Sequence, residues 1–429
     1  MSASSRPRRR TPLRLRLLLL GFAVLVPLAA IEGLLHAFPK LLPASFRRLY
    51  PPNGVEFFQP GVLEKTPITA VPLPFPVDPY SGPPPHDLVD QGIAPADAAV
   101  HDRTASPTFV LPSDALGLPN GADVPAAAPI ALVGDSFTVY GAQQDPPGFV
   151  RTLASSTGHA VRNVAVSGIG PDQELFLLQQ VVLPAQPKLV VWMFFGGNDL
   201  ADAFWSQVHR AQGMHTFADQ FHDRRAPRLW LPSLLASFLR SAPKPSIQEP
   251  LPPFRLADAR PDTAPLWFFP DALRAMALPK DRIVDNPGWL GITTALRSAR
   301  DACQQANVPL LVVYLPSKEQ VYLPHIVADG ELLRRYALAS GLAAIPLPDT
   351  GDATRDQLLQ QRGALEQALV GFCGDERIAC WSASPAFAAI AARGEAAYYT
   401  TDTHWRPQAQ AEIARALAAE ITARALLPR

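Results

Sequence analysis

The stretch PIALVGDSFT, residues 129–138, decides the fold. It begins as a short, unbroken apolar run and ends abruptly in Gly134, Asp135 and Ser136. A run of this kind, bounded by a turn signal, reads as a strand buried on both faces. Working outward, AVRNVAV (160–166), KLVVWMFF (188–195) and VPLLVVYL (308–315) read the same way. Between them, GFVRTLASS (148–156), DQELFLLQQVV (172–182) and ITTALRSARDACQQA (292–306) carry helical periodicity. Helices are also predicted near 329–341 and 353–371. A closing helix is predicted over 407–426, with Pro407 suited to its first turn. Apolar strands alternating with helices predict an α/β fold, a parallel sheet covered on both faces.

The bulk numbers bound the function. The chain has 429 residues, 48% of them apolar, enough for one large domain with insertions or for two domains. Lys plus Arg balance Asp plus Glu at 38 each, and no long basic stretch follows residue 16, which argues against a nucleic-acid partner. Arg6, Arg8, Arg9, Arg10, Arg14 and Arg16 precede LLLLGFAVLVPLAAIEGLLHAF, residues 17–38. About 20 mostly apolar residues behind a basic flank predict a helix that spans a bilayer, arginines in the cytoplasm. The competing reading is a cleaved signal peptide, for which only a weak small-residue site occurs at Ala29 and Ala30. Either way the rest of the chain is expected outside the cytoplasm, in a periplasm, held at the inner membrane if the helix stays.

The expected organisation is a basic tail (1–16), a membrane anchor (17–38), a Pro-rich extended segment (39–125) and an α/β domain (126–429). The stretch PTFVLPSDALGLPN (107–120) could add an edge strand. An irregular insertion, about 203–290, reads as a lid or substrate platform or, equally, as peripheral packing. His215 and His222 within it lack metal-ligand spacing, and no Cys/His cluster suggests zinc. No cofactor is expected. Cys373 and Cys380 bracket CGDERIAC, a loop that a disulfide could close in an oxidising compartment, the alternative being two buried thiols. Cys303 lies in a helical pattern and reads as packing.

Three strands end in polar turns: GDSFT after the first, SGIG after the second, GGNDL after the third. In an open parallel sheet ligands gather at the carboxyl ends of strands, so these turns can converge. A fourth signal, DTHW at 402–405, precedes the last helix. Ser136 alone reads as a helix cap, and Asn198 alone as a turn residue. Together they make another reading available. His404 can take the proton of Ser136, Asp402 can orient the imidazole, and the N–H groups of Ser136 and Gly168 with the Asn198 amide can face an oxyanion. Asp135 and Asp199 are expected to organise the Ser136 and Asn198 turns.

In these residues the sequence resembles the SGNH (GDSL-type) hydrolase family, over about 130–200 and from about 309 to the C-terminus. The resemblance implies a three-layer α/β/α fold, Ser136 as nucleophile, Gly168 and Asn198 in the oxyanion hole, and His404 as base with Asp402 behind it. The family's usual acid position, three before the histidine, holds Thr401 here. The Asp-x-His-Trp spacing, and LVVYLPSKEQVY (311–322), resemble the branch related to alginate O-acetylation proteins. Within that stretch Lys318 is a candidate to contact substrate or to pair with a carboxylate. The resemblance and the expected location imply a serine-dependent O-acetyltransferase acting on a cell-envelope or secreted polysaccharide, with a membrane-embedded acyl-donor partner. The alternatives are an esterase hydrolysing such acyl esters and a non-catalytic glycan-binding or scaffold protein.

Overall fold

The computed structural model describes residues 13–38, 114, 118–121, 123–143, 146–211, 231–232, 251–257, 265–327, 329–340, 342, 345–399 and 403–427. Within helices, the side chains of residues 13–18, 24, 36 and 208–211 are outside the description. The chain divides into two compact units, Met1–Phe57 with Asp219–Ser246, and Phe58–Ala218 with Ile247–Arg429. The first contains helix α1, Leu13–Ala37. There the backbone N–H of Leu231 donates to Glu32 at 2.7 Å. Among the described residues no helix is long and apolar enough to cross a membrane. The membrane-spanning helix expected over 17–38 is therefore met by a helix but not by a described span. The side chains described in α1 start at Leu19 and are interrupted by Pro27 and Glu32.

The second unit is built on five parallel strands, β1 (Ile130–Gly134), β2 (Val161–Ala165), β3 (Leu189–Phe195), β4 (Leu310–Leu315) and β5 (Ala379–Ser382), in the order β2-β1-β3-β4-β5. Every residue of β1 to β4 is buried, as the continuous apolar runs of β1, β3 and β4 require; in β2 this includes Arg162 and Asn163. Alternate side chains enter two cores. Ile130 and Leu132 of β1, with Val191, Met193 and Phe195 of β3, face one; Val133, Val190, Trp192 and Phe194 face the other. The first core is closed by α3 (Phe149–Thr157) and the closing helix α9 (Pro407–Ala423). The second is closed by α4 (Pro171–Leu177), α5 (Asp199–Ala211), α6 (Pro287–Gln305) and α8 (Ala364–Asp375). This is the expected α/β architecture, and Pro407 does begin the last helix. The chain leaves β1 toward β2 and then crosses to β3 on the other side. The carboxyl end of β1 is thus the point where the winding reverses, the usual place for a ligand crevice.

Several expectations are corrected. The helix predicted over 172–182 ends its α-helical part at Leu177 and continues as a π-helix, Leu178–Val182. The single helix predicted over 353–371 is two, Gly351–Gln361 and α8. Strand β5 is short and only half-buried, so it lacks the run that marks the other strands, and it lies where the sequence suggested a disulfide loop. Cys373 sits near the end of α8 and Cys380 in β5; all three cysteines are free, and the expected bond is not present. The two thiols instead interact side by side; their contact and burial push Cys373 up, whereas at Cys380 the same contact, working against burial, holds the thiol below its usual range. Part of the described insertion is core. Phe254, Leu256, Leu266, Trp267, Phe268 and Leu273 belong to the first core. His215 and His222 lie outside the described residues. So does most of the proposed edge strand at 107–120; its described end is a loop in which Asn120 pairs with the backbone of β2, accepting from Asn163 N–H at 2.7 Å and donating to Asn163 C=O at 2.9 Å.

Candidate active site

Ser136 is the first residue of a short helix, α2 (Ser136–Tyr140), that begins directly after β1. Asp135 caps it, its Oδ1 accepting from the N–H of Phe137 at 2.9 Å. At the first position the N–H of Ser136 lies outside the intrahelical ladder and is available to a ligand. The turn is tight beneath it. A Cβ on Gly134 would lie 2.3 Å from the Thr138 hydroxyl and 3.1 Å from Met193, so only glycine allows the helix to start this close to the sheet. Asn163 of β2 donates to the Thr138 carbonyl at 2.8 Å and fixes the helix from the side.

The histidine arrives from the far end of the chain. Tyr398 and Trp405 form an antiparallel bridge, and Tyr399 N–H donates to the His404 carbonyl at 3.0 Å. His404, 8% exposed, places Nε2 2.9 Å from Ser136 Oγ although 268 positions separate the two residues. Its ring lies over Tyr140, centroids 4.2 Å apart, and beside Phe137 at 5.8 Å. Trp405, fully buried, donates its indole N–H to the Phe137 carbonyl at 2.9 Å. Gln410 of α9 donates to the Trp405 carbonyl at 3.0 Å and accepts from Phe149 N–H at 3.2 Å. The segment carrying His404 is therefore bonded to α2 and, through Gln410, to α3. Asp402, the expected orienting acid, lies outside the described residues.

Lys318 is the first residue of α7 (Lys318–Tyr322) and is buried. Its ammonium donates to the Tyr399 carbonyl at 3.2 Å, and its charge acts on the neighbouring, buried Glu319. It belongs to the support of the histidine segment. Tyr322 of the same helix receives the Ala397 N–H at 2.6 Å and donates to the Glu395 carbonyl at 2.6 Å, and Tyr398 donates to the Pro316 carbonyl at 2.7 Å.

The other two turns sit at the ends of β2 and β3. Gly168 has φ +77°, a left-handed conformation natural to glycine, and a Cβ there would meet nothing within 4 Å. Asn198 immediately precedes α5, and its Nδ2 donates to Asp202 Oδ2 at 3.0 Å. Its Oδ1 is buried without a hydrogen-bond partner. Asp199 accepts from Phe195 N–H at 2.8 Å, which closes the GGND turn back onto the strand. Asp135 Oδ2 has no hydrogen-bond partner of normal geometry, although Asn198 is near enough to favour its charged form.

Beneath these turns the structure gathers carboxyl groups that the sequence reading did not. Glu174 of α4 is fully buried, both oxygens without a hydrogen bond of normal geometry. Burial, then the charges of Asp135 and Asp202, hold it well above the usual carboxylate range. Asp199 is raised by burial and by Glu174 in the same way. Asp135 is raised by burial, against which the His404 charge works. Asp202 is pushed up to about 7 by burial and by Asp135. Glu174 shows in the sequence only as an acid on a helix face that otherwise reads apolar, and Asp202 only through its i+4 spacing from Asn198. Among the described residues no group of acids, cysteines and histidines could hold a metal ion.

Chemically the arrangement offers a hydroxyl at the carboxyl end of the sheet with a base in hydrogen-bond contact. Residues 132–412 match the family model described as GDSL-like lipase/acylhydrolase. Comparison with curated proteins returns no match. Among solved structures, the crystal structure of an acetyl xylan esterase, AlAXEase, aligns at 10% identity over 69% of this chain and 98% of its own, with a TM-score of 0.32, a likeness too loose to inform fold or substrate.

Proposed function

We propose, for a chain that belongs to the GDSL-like lipase/acylhydrolase family, that it is a serine-dependent acyl-ester enzyme in which Ser136 is the nucleophile and His404 its base. The observation that carries this is the 2.9 Å contact between His404 Nε2 and Ser136 Oγ. Ser136 Oγ attacks the ester carbonyl carbon while its proton passes to Nε2. The resulting oxyanion is held by the N–H groups of Ser136 and Gly168 and by the Asn198 amide. Collapse breaks the ester C–O bond, the leaving alcohol takes the proton from His404, and an acyl-serine remains. Water, deprotonated by the same imidazole, then releases the acid and restores Ser136. Asp402, two residues before the histidine, is the proposed partner of Nδ1, keeping the tautomer that leaves Nε2 free to accept.

The finer reading is that the acyl group is acetyl on a cell-envelope or secreted polysaccharide and that a sugar hydroxyl, not water, takes it from the acyl-serine. Its support is the resemblance in DTHW and LVVYLPSKEQVY, and the arginine-flanked apolar segment that would hold the enzyme at the inner membrane beside an acyl-donor protein. The experiment is turnover of a chromogenic acetyl ester by the full chain with and without an added glycan. Ser136→Ala should abolish turnover and labelling by a serine-reactive probe while leaving the fold intact. Asn198→Ala should lower turnover by about 10²–10³. Acetyl found on the glycan supports transfer, and free acetate alone supports hydrolysis. Unaltered turnover in Ser136→Ala would sink the enzyme reading, and wild-type protein that never labels returns the chain to a binding or scaffold role.

A further inference from the structure

Asn198 can serve an oxyanion only if its NH2, and not its carbonyl, is turned to the substrate. Nothing intrinsic to an asparagine side chain chooses between the two, since a rotation of 180° exchanges them at nearly the same shape. The choice is made by what the amide touches. Here Nδ2 donates to Asp202 Oδ2 at 3.0 Å, whereas Oδ1 is buried with no partner to hold it. A carboxylate accepts and does not donate, so a charged Asp202 admits only the orientation with NH2 toward it. That bond uses one of the two amide hydrogens; for the other, Asp135, whose charged form Asn198 also favours, competes with a ligand.

The position of Asp202 suits this task. It lies in the first turn of α5, and its own N–H donates to the Asn198 carbonyl at 2.8 Å, so backbone and side chain fix the pair twice. The helix wedges against the loop that carries Gly168. A Cβ on Gly170 would come within 2.8 Å of Asp202 Cβ. Asp172, beyond that glycine, accepts from Ser206 of the same helix at 2.6 Å. Asp202 thus stands between the Gly168 turn and the Asn198 turn, the two supplying donors in the proposed mechanism.

We propose that Asp202 is a positioning residue whose charged carboxylate locks the Asn198 amide with NH2 toward the oxyanion, and that proton uptake by Asp202 unlocks it. Once protonated, the group can donate to Oδ1, and the flipped amide would present an oxygen to the oxyanion. The inference rests on Asn198 being an oxyanion donor. The titratable groups around Asp202 are Asp135 at the start of α2, Asp172 and Glu174 on α4, and Asp199 on its own helix; His404 acts on the same cluster through Asp135.

The test is a double-mutant cycle in the full chain, read with a chromogenic acetyl ester. Asp202→Ala and the near-isosteric Asp202→Asn should each lower kcat by about 10–100-fold, with KM within about two-fold, because the amide acts on the transition state. In Asn198→Ala the further change Asp202→Ala should cost no more than about two-fold, since there is no amide left to position. Losses that multiply, or an Asp202→Asn enzyme with wild-type kcat, would overturn the proposal. A second readout needs no turnover: the Asn198 side-chain NH2 signals in NMR, identified by their disappearance in Asn198→Ala. In wild-type protein they should titrate with a midpoint near the Asp202 value of about 7, and Asp202→Asn should remove that titration. Signals indifferent to Asp202→Asn overturn the lock even if Ser136→Ala remains active. A titration lost in Asp202→Asn upholds it in that case, so the two readings fail separately.

Discussion

Replacing Trp405 by Phe tests how the base is held. The indole N–H is bonded at 2.9 Å to the carbonyl of Phe137, the residue after Ser136, and the ring packs among Phe137, Phe149 and Phe387 at centroid distances of 5.0, 5.1 and 6.2 Å. The substitution leaves a buried carbonyl without that donor, at a cost of roughly 1–3 kcal/mol. It also removes two ring carbons from a fully buried side chain, about 1.6 kcal/mol at ~0.8 kcal/mol per carbon. A loss of about 3 kcal/mol in chemical denaturation is therefore expected. The functional cost should exceed what lost stability explains, because the bond joins the histidine segment to the nucleophile helix. With that link cut, Nε2 can drift from Ser136 Oγ, and a misplacement near 1 Å costs about 10²-fold. Assayed on a chromogenic ester well below the unfolding midpoint, the variant should lose about 10–100-fold in kcat with KM little changed. A variant destabilised as expected but with wild-type kcat would refute the idea that Trp405 positions the base. One with wild-type stability would refute the packing argument as well.

Other outcomes follow from the same geometry. Gly168→Ala should lose roughly 1–2 kcal/mol in denaturant unfolding from its positive φ alone, since a Cβ there meets nothing within 4 Å; an unchanged midpoint would count against the left-handed turn. Asp202 is raised from 3.8 to about 7 on folding, so its contribution is fully present below pH 3.8 and is lost as pH rises through 7. The stability of Asp202→Asn relative to wild type should accordingly improve between about pH 4 and pH 7 and level off above it; a difference flat in pH would contradict this. Alkylation of denatured, unreduced protein should modify Cys303, Cys373 and Cys380 alike, whereas protection of the last two would restore the bond that the structure lacks. In folded protein Cys303, pushed up to about 12 by burial, should stay unmodified at neutral pH.

The sheet was legible because four of its strands are buried on both faces and three of them, β1, β3 and β4, write themselves as continuous apolar runs, while β2 keeps apolar residues on either side of Arg162 and Asn163. β5 escaped because an edge strand that is half-buried along its length has no such run, and Cys373 and Cys380 at its border suggested a different explanation. The core role of Phe254 and Trp267 escaped for another reason. They enter the first core from irregular backbone and isolated bridges, Phe254 with Leu266 and Leu256 with Ile326, where no period exists to be read. Ser136 and His404 were legible as a pair because chemistry supplied what spacing could not: a hydroxyl needs a base, and DTHW offered one before a helix.

The carboxyl cluster marks the limit of that kind of reading. A sequence shows Asp135, Glu174, Asp199 and Asp202 as four separate acids, each with an ordinary local excuse as a cap or a first-turn residue. Only the fold reveals that β1 ends where α4 and α5 begin and aims these groups at each other, largely out of water. Burial and mutual repulsion then oppose ionisation, and Glu174 and Asp199 stand well above the usual range as a result. Such a cluster costs stability wherever its members are charged. The costs differ by member in a way that bears on the chemistry. Asp199 returns a bond to the GGND turn, and Asp135 returns the cap of the nucleophile helix. Asp202 returns a 3.0 Å hydrogen bond to the Asn198 amide, beside that amide's weaker contact with Asp135. Glu174 has no bond of normal geometry to either oxygen and only a weak contact with Trp192, so burial and the charges of Asp135 and Asp202 oppose its ionisation with the least return.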